Sequence, residues 1–183
     1  MKSVIKLYVI ILFFSISNFI QAQSKEISSV GIVPNYDEKE TPFKIYGTIY
    51  MSDGITPAKN YTVTINQANE NGDFLVDEND NLISAASLKT DQNGNYTFYT
   101  YVPGNDRRYN RLQEIFMKVE TPNGGAYAMP TLLFDIDPML TKRCRKQIAK
   151  RSDASRILKL TNTNDENIVK KDFILTLDLE RIN

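Results

Sequence analysis

The sequence predicts a mainly β chain, an antiparallel β-sandwich with one helix near its C-terminal end. Three observations carry that expectation. Apolar and polar residues alternate with a period of two over several short runs, the pattern of half-buried strands. Clusters of Gly, Asn and Asp separate the runs, residues that tolerate left-handed turn conformations. A period-four apolar stripe occurs in one stretch only, so helix is the exception.

Taken in order, the chain opens with Lys2 and Lys6, the apolar run Leu7 to Phe14, and a small residue at Ala22. This is the layout of a signal peptide, expected over residues 1–22 with cleavage near Ala22. The run is short and is followed by Ser15, Ser17 and Asn18, so no transmembrane segment is expected after signal removal. The mature chain would keep 20 basic and 22 acidic residues, a net charge of −2, and be secreted or periplasmic. Residues 23–42 show little periodicity and are expected to form a linker or N-terminal arm, placing the domain at 43–183.

From Phe43, the residues Phe43, Ile45, Gly47, Ile49 and Met51 alternate with polar ones and predict a first strand. Tyr61 to Gln67 predicts a second, ended by Asn69-Glu70-Asn71-Gly72. The aromatic and β-branched run Tyr96 to Val102 predicts a third after the turn Asp91-Gln92-Asn93-Gly94. Further strands are expected at Glu114 to Glu120, at Ala126 to Phe134, and in the alternation Phe173, Leu175, Leu177, Leu179. Between them, Asp137 reads as an N-cap and Pro138 as the first position of a helix reaching Arg151, with Leu140, Cys144 and Ile148 facing the core. Its other faces are basic, carrying Lys142, Arg143, Arg145, Lys146, Lys150 and Arg151, and read as solvated.

Composition excludes whole classes of chemistry. Lys and Arg number 22 against 22 Asp and Glu, so no field draws in nucleic acid, and no nucleic-acid partner is expected. The chain has no histidine, which removes Ser-His-Asp and Cys-His hydrolysis and every His-ligated metal. The single cysteine, Cys144, has nothing to bridge and is read as a small buried apolar residue. Asp77-Glu78-Asn79-Asp80-Asn81 opens like a calcium loop, but Leu82 replaces the sharp-turn glycine and Leu88 the bidentate glutamate, so a solvated loop is expected.

Three ordered segments go further: Gly47 to Phe74 with its Gln67-Ala68-Asn69; Thr90-Asp91-x-x-Gly94-x-Tyr96-x-Phe98 running to Pro103-Gly104; and Phe134-Asp135-x-Asp137-Pro138. With Asp172-Phe173-Ile174-Leu175 after the helix, this set resembles the intradiol ring-cleavage dioxygenases, the catechol and protocatechuate dioxygenase family. The resemblance covers roughly residues 43 to 180 and implies that family's sandwich.

The resemblance also implies ferric iron held by two Tyr and two His, and there this chain departs. The first Tyr position holds Phe74. The second follows Pro103-Gly104 and holds Asn105-Asp106 in a shortened loop, with Tyr109 as a displaced substitute. The Arg-x-x-His-x-His pattern reads Arg111-Leu112-Gln113-Glu114-Ile115-Phe116, so Glu114 and Phe116 stand where the imidazoles would be. Former ligand positions are thus Phe74, Asp106, Glu114 and Phe116, with Tyr109 and Arg111 as candidate cleft residues and an Arg111–Glu114 ion pair expected. The expected protein has no catalytic residues, no metal and no cofactor, and binds an unidentified ligand or protein partner. The alternative is a divergent ring-cleaving dioxygenase whose rebuilt ferric site draws on Asp106, Tyr109 and Glu114, since carboxylate and phenolate suit hard cations.

Overall fold

The computed structural model describes residues 28–151 and 154–176, so the expected signal segment and the strand positions from Leu177 onward lie outside the described residues. Two six-stranded sheets face each other. The first contains β1 (Val30–Ile32), β2 (Pro42–Tyr50), β5 (Asn95–Tyr101), β10 (Thr161–Thr163), β11 (Glu166–Lys170) and β12 (Phe173–Ile174), in the order β1-β5-β2-β11-β10 with β12 also on β2. The second contains β3 (Thr62–Gln67), β4 (Ala85–Lys89), β6 (Glu114–Glu120), β7 (Ala126–Ala128), β8 (Leu132–Phe134) and β9 (Ile157–Leu158), ordered β4-β3-β6-β8-β9 with β7 on β6.

Alternation does its work in the long strands. Phe43, Ile45 and Ile49 of β2, Val63 and Ile65 of β3, and Ile115, Met117 and Val119 of β6 all point between the sheets and are buried. Phe43 meets Phe134 edge to face at 5.6 Å across the gap, and each such ring adds about 1.5–3 kcal/mol by leaving water. Central pairs such as β2–β5 and β3–β6 are antiparallel as expected. Both sheets are nonetheless mixed, because β1, β9, β11 and β12 each join a neighbour in parallel.

Three expectations need correction. The described part of the 23–42 arm is docked: β1 pairs with β5, and Val33 is fully buried in the core. The run from Ala126 to Phe134 is two strands, interrupted at Met129-Pro130, where proline cannot donate to a ladder. The helix, α1, spans Lys142–Arg151 and starts four residues later than Pro138. Thr141 caps it, its Oγ1 accepting from the Cys144 N–H at 3.2 Å. Asp137 does not cap α1, because its carboxylate accepts instead from the N–H groups of Gln113 and Met139, both at 2.8 Å. Leu140 is buried, but it precedes the helix; Cys144 and Ile148 are only half-buried, and α1 buries no residue fully. Among the described residues no helix is long and apolar enough to cross a membrane.

Candidate functional site

Two loops build the site at the start of β6. In the loop after β3, the Asn69 side chain accepts from the N–H groups of Asn71 and Asp73, each at 2.9 Å, and folds Glu70 to Gly72 into a tight turn. Gly72 completes it at φ +83°, where a Cβ would stand 2.5 Å from the Asn105 carbonyl oxygen. Gly104, from the loop after β5, donates to the Asn69 carbonyl at 2.8 Å. Below them Gln67 is wholly buried, donating from Nε2 to the Tyr101 carbonyl at 2.9 Å and accepting from Thr100 Oγ1 at 2.7 Å. The Gln67-Ala68-Asn69 and Pro103-Gly104 motifs therefore act as joinery between two loops. The Thr90-Asp91 motif is joinery too: Thr90 Oγ1 accepts from the Tyr61 N–H, and Asp91 accepts from the N–H groups of Asn93 and Asn95.

Asp106 is the buried charge of the site, its side chain 3% exposed. Arg108 reaches it with Nε and Nη2, both at 3.1 Å, and Arg111 adds Nη2 at 3.2 Å. The hydrogen bonds from Arg108 lead in lowering the carboxyl to about 2, outweighing burial, which opposes them. Tyr109 is 72% exposed, with the Arg108 and Arg111 guanidiniums 5.8 and 5.5 Å from its ring centre. The displaced tyrosine is thus a cover over two cations.

Phe74 and Phe116 come together as tilted rings with centroids 6.1 Å apart, and the Arg111 guanidinium sits 5.3 Å from the Phe74 ring. Neither ring is sealed away; Phe116 remains 39% exposed. Glu114, half-buried on the same strand, has its carboxyl raised chiefly by desolvation, against the pull of Arg111 and Arg156. The expected Arg111–Glu114 ion pair is not formed, because Arg111 turns to the more buried Asp106. Arg111 Nε and Gln113 Oε1 are buried without hydrogen-bond partners.

The four former ligand positions do converge on one region, but their chemistry does not fit ferric iron. Phe74 and Phe116 have no donor atoms, and a guanidinium lies against the Phe74 ring. Asp106 is held by two arginines, and the Tyr109 ring lies beside the same two guanidiniums, so both donors are engaged with cations. No group of three or more His, Cys, Asp or Glu among the described residues is placed to hold a metal. Sequence reasoning missed Arg108, whose signal was its place two residues after Asp106. An aspartate commonly accepts from the N–H at that offset, and Asp106 does so at 2.9 Å.

No family model matches the chain, and no curated protein matches it. Solved structures do. The dioxygenase domain of a dioxygenase carbohydrate-binding fusion from Streptomyces sp. SirexAA-E aligns at TM-score 0.60 and 17% identity, over 79% of this chain and 85% of that one. An intradiol ring-cleavage dioxygenase from Tetranychus urticae aligns at 0.59 and 17%, over 81% and 86%. Catechol 1,2-dioxygenase from Acinetobacter radioresistens aligns at 0.60 and 15%, covering 86% of this chain but 60% of its own length. The fold is that of the intradiol dioxygenases, as the ordered motifs implied.

Proposed function

We propose that this chain is an exported protein of intradiol-dioxygenase fold that holds no catalytic iron, cleaves no catechol, and acts as a binding or interaction module. One observation carries the reading: the space that the resemblance assigns to iron ligands is occupied by the Phe74–Phe116 ring pair with Arg111 against it. Rings and a guanidinium recognise apolar and anionic surfaces; they do not activate oxygen. Exposed apolar side chains continue outward from the pair. Leu75 and Ile83, linked by the Ile83 N–H to the Leu75 carbonyl at 2.9 Å, are each about half exposed, as is Val76. Such a surface suits a partner better than bulk water. Dioxygenase activity belongs to the named structural neighbours, and a shared fold alone does not bring it to this chain.

Iron binding tests the reading. Purified protein is loaded with ferric iron, desalted, and assayed for bound metal and a visible tyrosinate band. Colourless protein with far less than one iron per chain is expected; stoichiometric coloured iron overturns the proposal. Export is tested by the intact mass of the protein from a secreting bacterial host, where loss of residues 1–22 is expected and retention of Met1 in the cytoplasm contradicts it.

A further inference from the structure

Away from the Phe74–Phe116 pair, the sandwich has an open mouth where β8 and the β7–β8 connection face β12. A cavity of about 340 Å³ lies there, within the range of small-ligand sites. Its inner wall is core: Leu132 is fully buried and Phe173 is 6% exposed, with Tyr127 and Pro130 adding flat faces alongside. Ile174, about half exposed, stands at the lip. An apolar cavity of this kind takes a ring or a compact apolar body.

The polar side of the cavity is cationic. Arg156 lines it, half-buried, with Nε buried and without a hydrogen-bond partner. The Glu114 carboxyl feels the Arg156 charge, but among the described residues no carboxylate comes within salt-bridge distance of the Arg156 guanidinium. Lys171 brings a second cation; its ammonium bonds to Ser155 Oγ and lies 5.5 Å from the Phe173 ring centre. Among the described lining residues the one carboxylate, Asp172, is already committed, accepting from the Thr48 N–H at 2.8 Å and pairing with Lys170 at 3.3 Å. A half-buried guanidinium that forms no salt bridge among the described residues, beside an apolar wall, suits an anion with an apolar body.

We infer that this mouth is a binding site for a small aromatic carboxylate, its ring against Tyr127, Pro130 and Phe173 and its carboxylate on Arg156. The inference deepens the binding-module reading by naming a ligand class, and it is read out by ligand binding, whereas iron content and oxygen uptake test the loss of the dioxygenase reaction.

The experiment titrates the full-length mature chain with indole-3-acetate and with its neutral analogue indole-3-acetamide, by calorimetry and amide-proton NMR. Saturable one-site binding of the acid is expected, with the amide about tenfold or more weaker because it lacks the charge. Arg156→Gln should weaken the acid by about the same factor and reduce its preference over the amide. Ile174→Trp, which narrows the lip without entering the core, should weaken both ligands. Lys146→Gln, an exposed charge on α1, should leave binding within about twofold and excludes a general charge effect. Failure of the wild-type chain to bind the acid, equal binding of acid and amide, or indifference to Arg156→Gln and Ile174→Trp in folded protein would each overturn the assignment.

Discussion

Replacing Gln67 by leucine should destabilise the fold severely, although leucine is of similar size and the site is fully buried. Tyr99 uses its carbonyl to accept from the Val33 N–H at 2.9 Å. Two residues further on, past the last β1–β5 pair at Ile32 and Tyr99, the Tyr101 carbonyl has only the Gln67 side chain to meet it. The Thr100 hydroxyl, also fully buried, donates to the same amide. Leucine would remove both partners and leave a carbonyl and a hydroxyl desolvated, each costing about 1–3 kcal/mol. Relief from burying the glutamine amide offsets part of this, leaving a net loss of about 2–4 kcal/mol, or about 4–16 °C in melting temperature for a chain of this size. Urea denaturation followed by tyrosine fluorescence and far-ultraviolet dichroism would measure it. A loss below about 0.5 kcal/mol at unchanged m-value would refute the idea that the family-like Gln-Ala-Asn motif serves here as scaffold.

Further expectations follow from the same geometry. Gly72→Ala should cost clearly more than Gly124→Ala: both glycines lie at positive φ, costing about 1–2 kcal/mol for alanine, but only at Gly72 does the new Cβ strike backbone. Equal melting temperatures for the two variants would contradict that ordering. Asp106 has its carboxyl lowered to about 2, so its stabilising contribution is complete above the unfolded value near 4 and is lost as pH falls from about 4 to about 2. The gap between wild-type and Asp106→Asn urea midpoints should therefore shrink across that window, and a gap independent of pH would count against the arginine clamp. Glu114 acts with the opposite sign: its raised carboxyl favours folding when protonated, and this contribution fades as pH rises through its folded value. Val33→Ala should cost about 1–3 kcal/mol if the N-terminal strand is part of the core, and next to nothing if it is a loose arm.

What was legible in the sequence was what alternation and turn chemistry dictate. The strands β2, β3, β5 and β6 each bury one face and keep the other wet, so period two survives in their residues. The misses have a common physical cause, since short edge strands have little core to face. All of β10 is exposed, and β4 buries Leu88 alone. In β1 the pattern is inverted: Gly31 is buried because a Cβ there would come 2.5 Å from the Phe98 ring, while Val30 and Ile32 face out. No hydrophobicity rule places a strand that buries its glycine.

At the site, loop joinery packs Phe74 against Phe116 and sets Arg111 between the Phe74 ring and Asp106. The sequence did not reveal which acid Arg111 would choose. That choice depends on burial, since Asp106 is deeper than Glu114 and already draws Arg108, and only the folded loop sets burial. The same holds for Asp137, whose helix-cap signature was real chemistry spent on Gln113 and Met139 instead. Arg156 carried no local signal at all, because a β-sandwich mouth is assembled from strands far apart in sequence.

The central claim is that this chain keeps the dioxygenase fold without the dioxygenase reaction, and oxygen consumption tests it most directly. The chain is incubated with excess ferric iron, desalted, and supplied with catechol or protocatechuate in an oxygen electrode, with ring-cleavage product followed by ultraviolet absorbance. The account predicts uptake no faster than iron-treated buffer carried through the same desalting. Sustained uptake with ring-cleaved product, abolished by Glu114→Ala or Tyr109→Phe, would contradict it.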